Sequence, residues 1–161
     1  RRTNYFRISN WTKRILIMKA TELRIGNLVE AECFDHPVEL LAVDTYNKVE
    51  SETYVVLGVD ESSVHHYVLD LCSSIPLTEE WLLKFGFKIT KDVEELIYWK
   101  KFDQILDFEL FRKIGYDVFY IETRFNTVQI NTVHQLQNLY FALTGEELEI
   151  NNNTRSGAND H

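Results

Sequence analysis

With 161 residues, 45% of them hydrophobic and 26% charged, the chain has a globular composition and can bury a core without metal or disulfide staples. No apolar run approaches the roughly 18–20 residues of a membrane-spanning helix, and Cys33 and Cys72 form no CxxC pair from which a disulfide framework or zinc site could be built. Charge is split: Arg1, Arg2, Arg7, Lys13 and Arg14 put residues 1–17 at +5, so the net −8 leaves −13 on residues 18–161, a body that repels phosphates and disfavours direct nucleic-acid binding.

Both cysteines read as packing residues in a reducing compartment, and the expected location is the cytoplasm. Residues 1–17 read either as a basic arm or as a non-native extension, because Met18 is the only methionine and the sequence after it has the pattern of a compact domain. As an arm, its arginines with Tyr5, Phe6 and Trp11 could touch RNA, anionic lipid or an acidic partner.

Residues 18–74 are expected to form a small β lobe. Short apolar runs at Leu23–Val29, Val38–Val43, Thr53–Leu57 and Val64–Leu69 alternate with turn-prone stretches such as Asp35-His36-Pro37, which suggests a curled SH3-like sheet or barrel. A short helix follows: Thr78 suits the N-cap, Glu79 and Glu80 its first turn, Leu77 and Leu82 a hydrophobic staple, and Gly86 its end.

Residues 75–150 form the second expected unit. After the short helix, Leu96–Phe102, Ile105–Phe111 and Tyr116–Thr123 read as strands of an antiparallel meander, with Thr127–Ile130 as a fourth. Phe119 and Ile121 should face one way and Val118 and Tyr120 the other, so both faces carry apolar bulk. Thr132 and Gln135 make a capping box for a last helix whose stripe of Val133, Leu136, Tyr140 and Leu143, widened by Leu139 and Phe141, should pack on the meander; Gly145 ends it. The polar tail 151–161 lacks the apolar content to fold.

Enzyme motifs are absent: the sequence holds no GxSxG, GxGxxG, P-loop or HExxH. His65 and His66 are neighbours on one strand, so they point to opposite faces and cannot share an ion. Cys33 and His36 have CxxH spacing with no second pair to complete a zinc site. His134 is expected beside the last helix's stripe, and the Glu94-Glu95 and Glu146-Glu147 pairs as solvated surface. No catalytic residue, metal ligand or cofactor site is assigned.

Three stretches, Glu22-Leu-Arg-Ile-Gly-Asn-Leu-Val, Ile75-Pro-Leu-Thr-Glu-Glu-Trp-Leu-Leu-Lys-Phe-Gly-Phe and Val133-His-Gln-Leu-Gln-Asn-Leu-Tyr-Phe-Ala-Leu-Thr-Gly-Glu-Glu-Leu, resemble a family of small phage and prophage accessory proteins of unassigned activity. The resemblance spans residues 18–150, brings no catalytic residues, and implies a phage-linked accessory protein of unassigned activity in the cytoplasm of a bacterial host cell, with residues 1–17 outside the family's usual start. The resulting expectation is an α+β protein, not an enzyme, that binds and blocks a host or phage protein through acidic surface around the first sheet, with Glu50, Glu52, Asp60 and Glu61 as contact residues. A nucleic-acid-associated module using the β lobe or the arm, and a structural assembly partner, are the alternatives.

Overall fold

The computed structural model describes residues 18–44, 53–60, 63–92, 94–101 and 107–151. Two antiparallel sheets of five strands each account for most of the regular structure. The first contains β1 (Leu28–Ala31), β2 (Val38–Asp44), β3 (Tyr54–Asp60), β4 (Ser63–Val68) and the two-residue β5 (Cys72–Ser73), in the order β4-β3-β2-β1-β5. Register shifts at Leu40/Ala42 and Gly58/Asp60 mark bulges that curl it into a half-barrel. Its concave side closes on Val29, Val38, Leu40, Val55, Leu57 and Cys72.

The strand expected from Leu23 starts only at Leu28. Ala20–Glu22 form a 3-10 turn, and Arg24–Asn27 form a second turn in which the Asn27 side chain accepts from the Arg24 amide at 2.7 Å. The Asn27 side chain closes this turn while the backbone stays bonded to β2, Gly26 N–H to Leu40 O and Leu40 N–H to Asn27 O, both at 2.8 Å.

The linking helix α1 (Glu79–Lys84) has the expected punctuation. Thr78 accepts from the Trp81 amide at 3.4 Å, and Leu77 and Leu82 are both buried. At its end the Gly86 amide reaches Leu83 O and the Phe87 amide reaches Leu82 O, a double closure that requires the left-handed backbone Gly86 adopts at φ 79°. Glu79 does more than face the helix dipole: it accepts from Tyr98 at 2.8 Å and from Arg112 at 2.9 Å, tying α1 to the second sheet.

That sheet is a meander of five strands, β6 (Lys88–Lys91), β7 (Glu95–Lys101), β8 (Asp107–Lys113), β9 (Phe119–Glu122) and β10 (Thr127–Ile130), ordered β10-β9-β8-β7-β6. Lys88–Lys91, with all four residues exposed, is the strand that hydrophobic periodicity missed. Helix α2 (Val133–Thr144) lies on the meander's inner face, where Val133, Leu136 and Tyr140 join Tyr98, Leu110, Phe119 and Ile130 in one core. Its capping box is displaced by one residue, since Gln135 accepts from the Asn131 amide rather than from that of Thr132.

Two helix expectations are corrected. Leu143 is 62% exposed, outside the stripe, and His134 is buried at 1% exposure. The helix is covered on a second side, because Gln137 and Asn138 dock on the first lobe. Gln137 accepts from Leu28 N at 2.9 Å and donates to Gly26 O at 3.1 Å, as a neighbouring strand would. Asn138 accepts from Asn27 and donates to Glu22 O, while Arg24 grips Glu147 with two bonds and stacks on Phe141. No helix among the described residues is long and apolar enough to cross a membrane.

Candidate protein-binding face

Alternation along the strands sends one set of side chains of the second sheet into the core and the other set outward. The outward set is mostly charged and polar at its margins, with Ile97, Trp99, Phe111 and Tyr120 as an apolar and aromatic group within it. Phe111 lies opposite Ile97 on one side and Tyr120 on the other, and its ring stacks on Tyr120 at 5.8 Å. Trp99, two residues along β7, donates to Thr90 at 3.1 Å and carries the Lys88 ammonium 5.0 Å from its ring centre. Ile97, Trp99 and Phe111 are half-buried, although both helices lie against the opposite face.

Toward β10 this face sinks into an open depression of ≈ 500 Å³ lined by Glu95, Lys113, Tyr116, Val118, Tyr120, Glu122, Thr127 and Gln129. The Tyr120 hydroxyl reaches across β8 to donate to Glu95. Burial first, and then this carboxylate, push the Tyr120 phenol up to about 12, so it stays protonated at neutral pH and acts as a donor, not a base.

Two exposed aromatics lie in the turns of this part of the sheet, Tyr116 among the lining residues and Phe125 outside them. Tyr116 is 67% exposed beside the β8–β9 turn, and Phe125 is 96% exposed at the tip of the β9–β10 hairpin. The tip is tightly bonded: the Thr123 hydroxyl accepts from the Asn126 amide at 2.9 Å and donates to its carbonyl at 2.7 Å, while the Asn126 side chain accepts from the Thr127 amide at 2.9 Å. A large apolar ring is thus held in water by a turn with little freedom to withdraw it. No family model, curated protein or solved structure matches the chain.

The residues singled out from sequence lie elsewhere. Glu50, Glu52 and Glu61, with Arg1, Arg2, Arg7, Lys13 and Arg14 of the basic segment and the tail beyond residue 151, are outside the described residues. Asp60 ends β3, its backbone opposite Ser63. Cys33, expected to be a packing residue, is exposed and accepts from Tyr67; Cys72 is buried. His65 and His66 take successive positions on β4 and are both exposed, with the His65 ring edge-on to Phe34 at 5.6 Å. His36 bonds Asp35 at 2.8 Å. Among the described residues no three His, Cys, Asp or Glu side chains converge as a metal-binding set.

His134 has the burial of an active-site base but not the access. Its Nε2 lies 3.4 Å from the Thr132 hydroxyl and its Nδ1 has no partner. The paired glutamates also divide: Glu95 and Glu147 are engaged by Tyr120 and Arg24, whereas Glu94 and Glu146 are exposed. The sequence pattern opens a strand at Tyr116, whereas β9 begins at Phe119 and leaves Tyr116 in the preceding turn. Phe125 escapes that pattern because an isolated aromatic between turn residues has no periodicity; the available signal was its place inside the polar run Thr123-Arg124-Phe125-Asn126-Thr127.

Proposed function

We propose that the chain is a non-enzymatic binding protein that engages, and thereby blocks, another protein through the outer face of its second sheet. The observation that carries this reading is the exposure of Phe125 at a tightly bonded hairpin tip, on a sheet whose outer face bears Trp99, Phe111 and Tyr120 and lies opposite both helices. Binding energy concentrates on preorganised aromatic anchors because they bury much apolar area for little lost freedom. Charge supports a protein target: residues 18–161 carry −13, which repels nucleic acid and favours basic surfaces, including the nucleic-acid grooves of processing or defence enzymes. The resemblance to phage and prophage accessory proteins supports a bacterial cytoplasmic setting with a host or phage protein as partner. This reading moves the contact surface from the acids around the first sheet to the second sheet.

The test is capture from bacterial host lysate with the full chain, nuclease-treated and washed over a salt series, beside Phe125→Ala and Trp99→Ala. The expected result is one protein retained after nuclease and reduced about tenfold or more by either substitution. Recovery of nucleic acid alone, or a partner indifferent to both substitutions, overturns the reading.

A further inference from the structure

We propose that the free edge of β10 receives one extended segment of the partner, a strand whose residues alternate between apolar side chains and Lys or Arg. The inference rests on the protein-binding reading and specifies what is bound. Strand addition requires an unpaired edge with outward backbone groups, and among the described residues β10 pairs with no strand but β9. Asn126 O accepts from Thr123 N on the β9 side, so the period of two turns the backbone groups of Thr127, Gln129 and Asn131 outward. Asn131 is engaged by Gln135 and Leu77 and the Thr127 amide by Asn126, which makes Gln129 N–H and C=O and Thr127 C=O the groups offered to a strand.

Part of this edge already has a strand-like neighbour. Ile75–Leu77 runs antiparallel beside 131–133, with Leu77 N on Asn131 O and Val133 N on Ile75 O, both at 2.9 Å. The slot continues that line past Gln129 to Thr127, ending where Asn126 takes the Thr127 amide. An incoming strand would therefore extend an interface the protein has begun to build.

The two edges of the sheet are unequally protected. β6 carries Lys88 and Lys91, charges of the kind that discourage edge pairing, whereas β10 reads Thr-Val-Gln-Ile, with no charge and no proline. The side chains around the slot set the chemistry of its occupant. On the inner side Val128 is 41% exposed, a seat for apolar residues. On the outer side lies the depression, where Glu95 and Glu122 face one cation, Lys113, which suits alternate Lys or Arg residues.

Anisotropy titration of the full chain with a labelled Lys-Val-Lys-Val-Lys-Val peptide tests this directly. The controls are the same peptide N-methylated on alternate amides along each edge in turn, and its Glu-for-Lys counterpart. Saturable binding is expected, weakened about tenfold or more by methylation of one edge and by the charge reversal. Gln129→Pro should weaken it likewise, since it deletes an outward N–H and leaves the β9 pairing intact. Absence of saturable binding, or equal binding by all the peptides, overturns the slot. The broader reading is decided separately: partner capture that is lost in Phe125→Ala but unchanged in Gln129→Pro refutes the slot and leaves the aromatic face standing.

Discussion

Phe125 and His134 occupy opposite extremes, an apolar ring 96% exposed and a titratable ring 1% exposed. His134 bears on stability rather than on binding. Burial holds its pKa below the ordinary value of 6.5, although Glu22 pulls it upward, so the folded protein keeps the ring neutral where the unfolded chain would protonate it. Above pH 6.5 both states are neutral and nothing is lost. As pH falls from 6.5 toward the lower folded value, the unfolded state takes up the proton first and stability drops by up to about 1.4 kcal/mol per pH unit. Unfolding midpoints measured from pH 8 to pH 5 should therefore fall below pH 6.5, and His134→Gln should flatten that part of the curve. An unchanged slope in the variant would remove His134 as its source.

At the scale of elements, the two helices were legible from their ends. Thr78, Gly86, Thr132 and Gly145 act by backbone chemistry that is nearly independent of tertiary context, and each caps as expected. Gly145 offers a clean measurement. Its φ is 74° and a Cβ there would meet nothing within 4 Å, so Gly145→Ala registers left-handed strain without a clash. The expected cost is about 1 kcal/mol by urea unfolding; a neutral result would show that the helix end relaxes to another closure. The interior of α2 was less legible. Apolar spacing placed Leu143 in the core, yet the buried arc runs through His134 and Gln137, because the helix meets a second surface that an apolar period cannot register.

That second surface is the main feature at the scale of the whole molecule. Each sheet has its own apolar cluster, and the seam between them is largely polar, built on Asn27, Gln137, Asn138 and the Arg24–Glu147 pair. Gln137 is decisive there, since replacing its amide leaves Leu28 N–H and Gly26 C=O unpaired. Gln137→Leu should cost about 2–6 kcal/mol, about one to three for each of the two orphaned groups, and Gln137→Glu should not restore stability, because a buried carboxylate oxygen would face Gly26 C=O where the amide donates. Limited proteolysis near Ser73 and Ser74 gives the matching readout. Wild type should stay joined in one cooperative unit, while Gln137→Leu should be cut faster; release of two stable fragments from wild type would show that the lobes fold separately.

The sequence by itself determined the α+β class, the order of a small curled sheet, a short helix, a meander and a final helix, and the residues that cap both helices, because these follow from local periodicity and backbone conformation. Only the tertiary structure decided that β6 completes the meander, that His134 is buried, that Gln137 completes the backbone pairing of the first lobe, and that Phe125 stands in solvent at a tightly bonded hairpin tip. Those outcomes depend on which surfaces meet across long stretches of chain, and the hydrogen bonds and burial that fix them are made between segments whose proximity no local pattern encodes.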